Sequence, residues 1–367
     1  MPQIAASISI NGDSAVDLLP FAIELEIEED HDMASVVHIK LAMHQQDDGT
    51  WSYLDDDRVQ LWNPISISAT IADDEQELFS GYITEIKSHF DMEDNGCHVT
   101  ICGKDATCLM GLEETIKDWP NMSDSDIATQ ILSNYNLTPE VDDTGVVHDD
   151  TVSTIIQRET DIHFLKRLAR RNGYECVVRG DTGYFRKPVL TDPPLPVLAV
   201  LFGADTNVAS MDVEVKALQP MAVEMHQIDV IGKQTEDASI DTSDQTQLGQ
   251  NSVLTLTVPN GVQPRSYVRH AVATGVAEMQ NLCQAIYDRA EWLVEATGHV
   301  DSVAYGTFLR SLNLVPIKGL GQLFSGMYYL TNVRHVITVD HYLQHFKARR
   351  NAMAPQDSDF ASPTSLF

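Results

Sequence analysis

Ile8 and Ile10, then Phe21, Ile23, Leu25 and Ile27, alternate with small or acidic residues, and Val37, Ile39, Leu41 and Met43 repeat the period of two. Ile65, Ile67, Ala69 and Ile71 follow Pro64 in the same rhythm. The acidic turn Asp73-Asp74-Glu75 then leads into Leu78-Phe79-Ser80-Gly81, Ile83 and Ile86, and a last run covers 98–102. Short strands with one apolar and one acidic face predict a small antiparallel barrel or sandwich.

The period changes in the middle of the chain. Ile127, Ala128, Ile131, Leu132 and Tyr135 recur at helical spacing, with Ser123 placed to cap and Asp124 and Asp126 in the first turn. A second helix follows Thr160-Asp161. Its apolar stripe is Ile162, Phe164, Leu165, Leu168 and Ala169, its bases Lys166, Arg167, Arg170 and Arg171, and Asn172-Gly173 ends it. Residues 174–178 and 184–186 read as a hairpin, and the Pro-rich stretch 191–196 as a linker. Strand patterning resumes over 197–230 and breaks into the polar stretch 233–252, which predicts an exposed loop or insertion. A helix is expected over about 271–295, then strands at 307–314, 327–333 and 341–346.

One internal repeat stands out. Leu78-Phe79-Ser80-Gly81 precedes a strand with Ile83-Thr84-Glu85-Ile86-Lys87, and Leu323-Phe324-Ser325-Gly326 precedes Leu330-Thr331-Asn332-Val333-Arg334. The shared context predicts two related β-domains, with each Gly at a bend or a close backbone approach.

At these residues the chain resembles the phage late control protein D family, the tail hubs of contractile injection machines, and with it the N-terminal hub region of type VI secretion spike proteins. Three stretches carry the resemblance. The first runs from Leu61-Trp62-Asn63-Pro64-Ile65 through Phe79-Ser80-Gly81-Tyr82-Ile83. The second is Ser123-Asp124-Ser125-Asp126-Ile127-Ala128 with the helix of Glu159-Thr160-Asp161, Phe164-Leu165, Arg167-Leu168-Ala169 and Asn172-Gly173-Tyr174. The third runs from Phe324-Ser325-Gly326 through Val333-Arg334-His335 to Tyr342, Phe346, Arg350 and Asn351. Phe79, Gly81, Asp161, Phe164, Leu165, Leu168, Gly173, Phe324 and Gly326 are its structural motif positions.

The resemblance implies a mostly β, α+β fold, with two homologous tube-type antiparallel β-barrels flanking an α+β domain. The expected boundaries are 1–105 for the first barrel, 106–195 for the α+β domain, and 196–234 with 296–350 for the second barrel. Residues 235–295 are expected as an insertion and 351–367 as a polar tail. It further implies a homotrimer whose six barrels form a pseudo-sixfold adaptor between a hexameric inner tube protein and a trimeric spike protein, amid other baseplate proteins. Because the chain stops shortly after the second barrel, the spike is expected on a separate polypeptide.

Charge narrows the partners. The chain has 24 basic and 54 acidic residues, a formal net charge of −30, and residues 1–105 alone hold 22 acids against 4 bases. Such an excess argues against nucleic-acid-specific binding and against docking on anionic lipid. No signal peptide and no membrane-spanning run is expected, so synthesis in a bacterial cytoplasm followed by assembly into a phage tail or tail-like particle is the expected route. Cys97, Cys102, Cys108, Cys176 and Cys283 are an odd, sparse set without C-x-x-C, which favours free thiols over a zinc site or a disulfide framework.

Candidate chemistry is thin. Asp55-Asp56-Asp57 and Asp73-Asp74-Glu75 lack the spacing of a calcium loop and read as solvated turns. His341 and His345 lack an acid-bearing zinc motif and read as surface or interface histidines. The bases of the second helix are expected to meet an acidic protein surface or solvent. With no nucleophile elbow and no phosphate loop, no catalytic, cofactor-binding or metal residue is expected. A structural hub is the leading reading. The alternatives are a cell-wall-degrading tail enzyme on a hub-like scaffold, which needs paired carboxylates in a cleft, and a monomeric ligand-binding protein with one apolar pocket.

Overall fold

The computed structural model describes residues 5–92, 96–229, 231–252, 258–356 and 359–360; of the polar tail expected over 351–367, Asn351 and Ala352 are buried and Ala352–Met353 form a short strand, while 357–358 and 361–367 lie outside the described residues. The first third is β1 (Ala5–Ile10), β2 (Asp13–Ser14), β3 (Ala22–Asp30), β4 (Val36–Ala42), β5 (Pro64–Ile71), β6 (Asp74–His89) and β7 (His98–Lys104). The period of two accounts for it: Leu25, Ile27, Val37, Ile39, Leu41, Ile65, Ile67, Val99 and Ile101 are buried together, and the polar partners of each strand face outward.

The middle third comprises β8 (Glu114–Trp119), α1 (Asp124–Asn134), β9 (Thr138–Val141), β10 (Ile155–Thr160), α2 (Asp161–Asn172), β11 (Glu175–Arg179) and β12 (Thr182–Arg186). Ser123 caps α1, its hydroxyl accepting from Asp126 N at 3.0 Å, and Gly173 ends α2 in the left-handed region at φ 70°. Both ends are as expected. The antiparallel β8–β10 pair and the parallel β9–β12 pair are additions that the alternation did not announce. Only Trp119 and Ile155 of the first pair are buried apolar residues, while Ile116 and Ile156 are exposed, so no sustained apolar alternation marks it.

The last third holds β13 (Leu198–Ala199), β14 (Val208–Val215), β15 (Ala222–Ile228), β16 (Thr235–Ile240), β17 (Asn251–Ser252), β18 (Arg265–Val268), α3 (Val276–Ala290), β19 (Val294–Asp301), α4 (Ser302–Tyr305), β20 (Leu314–Lys318), α5 (Gly321–Phe324), β21 (Gly326–Thr338), β22 (Tyr342–Arg350) and β23 (Ala352–Met353). Four expectations change here. The polar stretch 233–252 contains β16, paired to β15, and Arg350 and Asn351 pin its later part. The Arg350 Nε donates to Leu248 O at 2.8 Å, and Asn351 Oδ1 accepts from Leu248 N at 2.9 Å. The helix expected to reach 295 stops at Ala290, because Val294 already belongs to β19. Residues 307–313 form no strand; Phe308 and Leu309 are buried there from a loop. Nor does the segment 235–295 stand apart as an insertion: Met279, Cys283 and Tyr287 of α3 share one core with Val223, Val294, Val315 and Val333.

The fold is mostly β, with the α-helices among the described residues in the middle and last thirds. Its main sheet runs in the order β14-β19-β22-β21-β3-β4-β7-β6-β5-β1-β2. The strands do not close into two separate rings among the described residues. Instead β21 of the last third pairs antiparallel with β3 of the first, which joins both β-regions into one sheet.

Candidate assembly interface

The main sheet is built from one five-strand pattern used twice. The order β3-β4-β7-β6-β5 recurs as β14-β19-β22-β21-β20. Register repeats as well as order. Pro64 faces Tyr82 and Ile65 faces Gly81 across β5–β6; Leu314 faces Tyr329 and Val315 faces Tyr328 across β20–β21. A bulge then falls between Ile83 and Glu85 against Gly103 and Cys102, and between Leu330 and Asn332 against Ala348 and Lys347. Outside each bulge the same hydrogen bonds form. Trp62 N donates to Ile83 O and Ile83 N to Asn63 O; Leu312 N donates to Leu330 O and Leu330 N to Asn313 O. Trp62 and Leu312 both take a positive φ, 72° and 62°, which bulky residues adopt only when their surroundings hold them there. A second shared bulge falls between Ala22 and Glu24 and between Val208 and Ser210.

The two patterns meet at the β21–β3 ladder, where Asn332 to Thr338 pair with Asp30 to Glu24. On its outer face Asn332 Nδ2 donates to Glu28 Oε1 at 2.7 Å and to Asp30 Oδ2 at 2.9 Å, and Arg334 lies 3.6 Å from Glu26. Beneath it Glu29 is buried. Arg310 Nε donates to Glu29 Oε1 at 2.9 Å, Ser311 N donates to Oε2 at 3.0 Å, and Arg179 of β11 stands 3.9 Å away. Burial alone would raise the Glu29 carboxyl, but Arg310 and Arg179 outweigh it and hold it at about 2. His335, also buried, is depressed to about 4 by loss of solvation, and its Nδ1 lies 2.8 Å from the Tyr342 hydroxyl. This one carboxylate thereby ties together all three thirds of the chain. Its signal was present in the sequence: in the alternation Leu25, Ile27, Glu29 the acid occupies a core-facing position.

The motif positions fall into two sets. Phe79 is buried in the first β-core, while Phe164, Leu165 and Leu168 fill the middle core. Asp161 starts α2 and accepts from Tyr135 Oη at 2.9 Å and Gln157 Nε2 at 2.6 Å, and Gly173 lies 3.3 Å from the Ala285 Cα of α3 by its missing Cβ. Gly81 sits mid-strand, where a Cβ would strike the Lys104 carbonyl of β7. Gly326 sits at the start of β21 with φ 136°, where a Cβ would strike the buried Arg350 guanidinium of β22. Phe324 lies in the short helix α5 while Phe79 lies in a strand, so the matching tetrapeptides are not alike in conformation even though the strands after them are.

The basic face of α2 does not wait for a partner. Lys166 donates to the Asp32 carbonyl, Arg167 pairs with Glu159 at 2.6 Å, Arg170 stands 3.7 Å from Asp32, and Arg171 pairs with Glu278 and Asp124. Beside Arg171, His148 Nε2 lies 2.9 Å from Asp124 and its Nδ1 3.5 Å from Glu278, which makes a buried ionic knot between the middle unit and α3. The helix uses its bases inside the chain, as bolts to both β-regions.

The remaining candidates resolve locally. Asp56 is fixed against Arg58, which bridges to Asp17 at 2.7 Å, so that acidic turn is held rather than merely solvated. His345 stacks on His299 at 5.1 Å, while His341 hydrogen-bonds within its own turn to Thr338. All five cysteines are free, and no cluster of three or more His, Cys, Asp or Glu able to hold a metal occurs among the described residues. No helix among them is long and apolar enough to cross a membrane.

Comparison with known proteins places this architecture. The 43 kDa tail protein of prophage MuSo2 from Shewanella oneidensis superposes with a TM-score of 0.66 at 13% identity, covering 96% of this chain and 100% of that one. A tail protein from Neisseria meningitidis MC58 gives 0.65 at 12% identity, covering 96% and 98%. An E. coli type VI secretion component, described as structurally similar to the T4 tail proteins gp27 and gp5, gives 0.56 at 12%, covering 95% and 79%. The fold is therefore that of phage-tail and type VI secretion proteins. Comparison with curated sequences finds no match. The family model of the Alg8 N-terminal domain matches residues 2–339, nearly the whole of the architecture described above, and the chain belongs to the Alg8 N-terminal domain family.

Proposed function

We propose that this chain is the structural hub of a contractile tail or injection-system baseplate, of the late control protein D kind. Three copies form a homotrimer of pseudo-sixfold symmetry that adapts a hexameric inner tube to a trimeric spike. The observation that carries this reading is the duplicated five-strand pattern, whose registers and bulges match strand for strand. A protein that meets a sixfold partner with three chains needs two near-equivalent surfaces per chain. In this reading residues 1–105 are the first tube-type unit, 196–234 with 296–350 the second, and 106–195 the unit that braces them from outside. The segment 235–295 elaborates the second unit, and barrel-like closure belongs to the assembled ring. The motif positions Phe79, Gly81, Asp161, Phe164, Leu165, Leu168, Gly173, Phe324 and Gly326 then serve the scaffold. They touch no substrate, and the chain is expected to show no turnover of peptidoglycan.

Light scattering on the purified chain tests the oligomer, with an expected mass three times that of the 40.7 kDa chain. A chain that stays monomeric even with tube and spike proteins present overturns the reading.

A further inference from the structure

The β21–β3 ladder is a junction between two repeats, and each repeat has a second edge of the same kind. In the last third, β21 pairs with β20 through its first half and with β3 through Asn332 to Thr338. In the first third, β6 pairs with β5 up to Tyr82, but beyond Ile83 no strand pairs with the side of β6 that faces away from β7, among the described residues. The counterpart of β3 in the other repeat is β14, which ends the sheet and pairs only with β19. Two long unpaired edges on one soluble chain are a liability unless something covers them.

We infer that the second half of β6 in one copy pairs antiparallel with β14 of the next copy, in the register that β21 and β3 already use within the chain. This rests on the trimer reading above and names the contact that builds the trimer.

The shared bulges fix which residues meet. Glu85, Lys87 and His89 stand where Asn332, Arg334 and Val336 stand, and Lys216, Glu214 and Asp212 stand where Asp30, Glu28 and Glu26 stand. Within the chain, Asn332 faces Asp30, Arg334 faces Glu28 and Val336 faces Glu26. Between copies, Glu85 therefore faces Lys216, Lys87 faces Glu214 and His89 faces Asp212. Both charged pairs are opposite in sign: Arg334 stands opposite Glu28 and forms its ion pair with the diagonal neighbour Glu26, and Lys87 stands opposite Glu214 with Asp212 as its diagonal neighbour.

Side-chain facing agrees as well. Glu85, Lys87, Asp212, Glu214 and Lys216 are exposed, whereas Ile86 faces Val215, both half-buried against their own cores. A slip of two residues in one direction sets Lys87 against Lys216, and in the other sets Glu85 against Glu214. A slip of one turns Ile86 to solvent. The sequence thus specifies one register out of its neighbours.

Paired cysteines test the register in the full chain. His89→Cys with Asp212→Cys leaves both charged pairs intact, and mild oxidation is expected to give a covalent species of three chains that reductant reverses. His89→Cys with Ser210→Cys, two residues out of register, is expected to give none, with the parent chain as the control for its five free thiols. A trimer by light scattering that cross-links equally through both pairs, or only through the second, overturns this register and leaves the trimer reading standing. A monomer under all conditions overturns both. Independently, Lys87→Glu is expected to raise the concentration for half-assembly roughly 10- to 100-fold, since three junctions each gain a like-charge contact, and adding Glu214→Lys is expected to restore it. A double variant no better than Lys87→Glu alone also overturns the register.

Discussion

A carboxylate occupies position 29, where the alternation of β3 reserves a place for an apolar side chain. Its cost is met by Arg310, Arg179 and the Ser311 amide, so the acid remains ionised although buried. Removing the charge leaves two guanidinium groups without their partner, and that residue carries more penalty than the lost contacts themselves. Glu29→Gln is therefore expected to cost about 3 kcal/mol of stability at neutral pH. Urea unfolding measures it, and a loss below about 1 kcal/mol would show that solvent reaches the pocket. Gly326 shows the same dependence on distant residues: its backbone shape and its contact with Arg350 are invisible in the tetrapeptide it shares with Gly81.

Among the elements, α2 was the most legible. Its apolar stripe, its acidic start and its terminal Asn172-Gly173 are local features, and each acts through local physics. What the helix does with its bases was not legible, because Asp32, Asp124 and Glu278 approach it from segments far along the chain. Gly173 separates the two kinds of information. Its φ of 70° is a local requirement, while its proximity to Ala285 of α3 is a tertiary one. Gly173→Ala is expected to lower stability by about 2 kcal/mol or more, combining left-handed strain with displacement of α3. Gly145→Ala, with φ 69° and open space around the added carbon, is expected to cost only the strain, about 1 kcal/mol. Equal losses in thermal unfolding would show that the α2–α3 contact yields freely. The β-elements divide in the same way: β3 to β7 were legible from alternation, but β8 and β16 were not, because each buries a single apolar side chain, Trp119 and Ala238.

At the scale of the whole molecule, the junction of the two β-regions is also its acid-sensitive seam. Glu29 is held at about 2 against an ordinary 4.5, so its contribution is complete above pH 4.5 and is lost as pH falls through 2. His335 is held at about 4 against 6.5; the unfolded chain takes up that proton first, so stability falls as pH drops from 6.5 to 4. Both act in the same direction. The urea midpoint is expected to fall steadily from pH 7 to pH 4, and His335→Gln is expected to flatten that slope. An unchanged slope would show that other groups carry the acid response. The trimer places a further demand at this scale, since a net charge of −30 per chain repels its copies. Salt-dependent assembly follows: screening weakens both this repulsion and the Lys87–Glu214 and Glu85–Lys216 attractions, and their balance belongs to the ring.

The sequence by itself determined the mostly β fold class, the strands of the first third, the two central helices with their caps, and the existence of a repeat. These depend on period, turn chemistry and capping, which act over a few residues. Only the tertiary structure decided that the repeat extends to registers and bulges, that β21 and β3 join both regions into one sheet, and that Glu29 sits at their seam. Those facts depend on which distant strands become neighbours, and no local pattern encodes that choice. The same holds for the acidic excess: the sequence supplied its size, and the fold decided which carboxylates are buried beside arginine and which line the open edges.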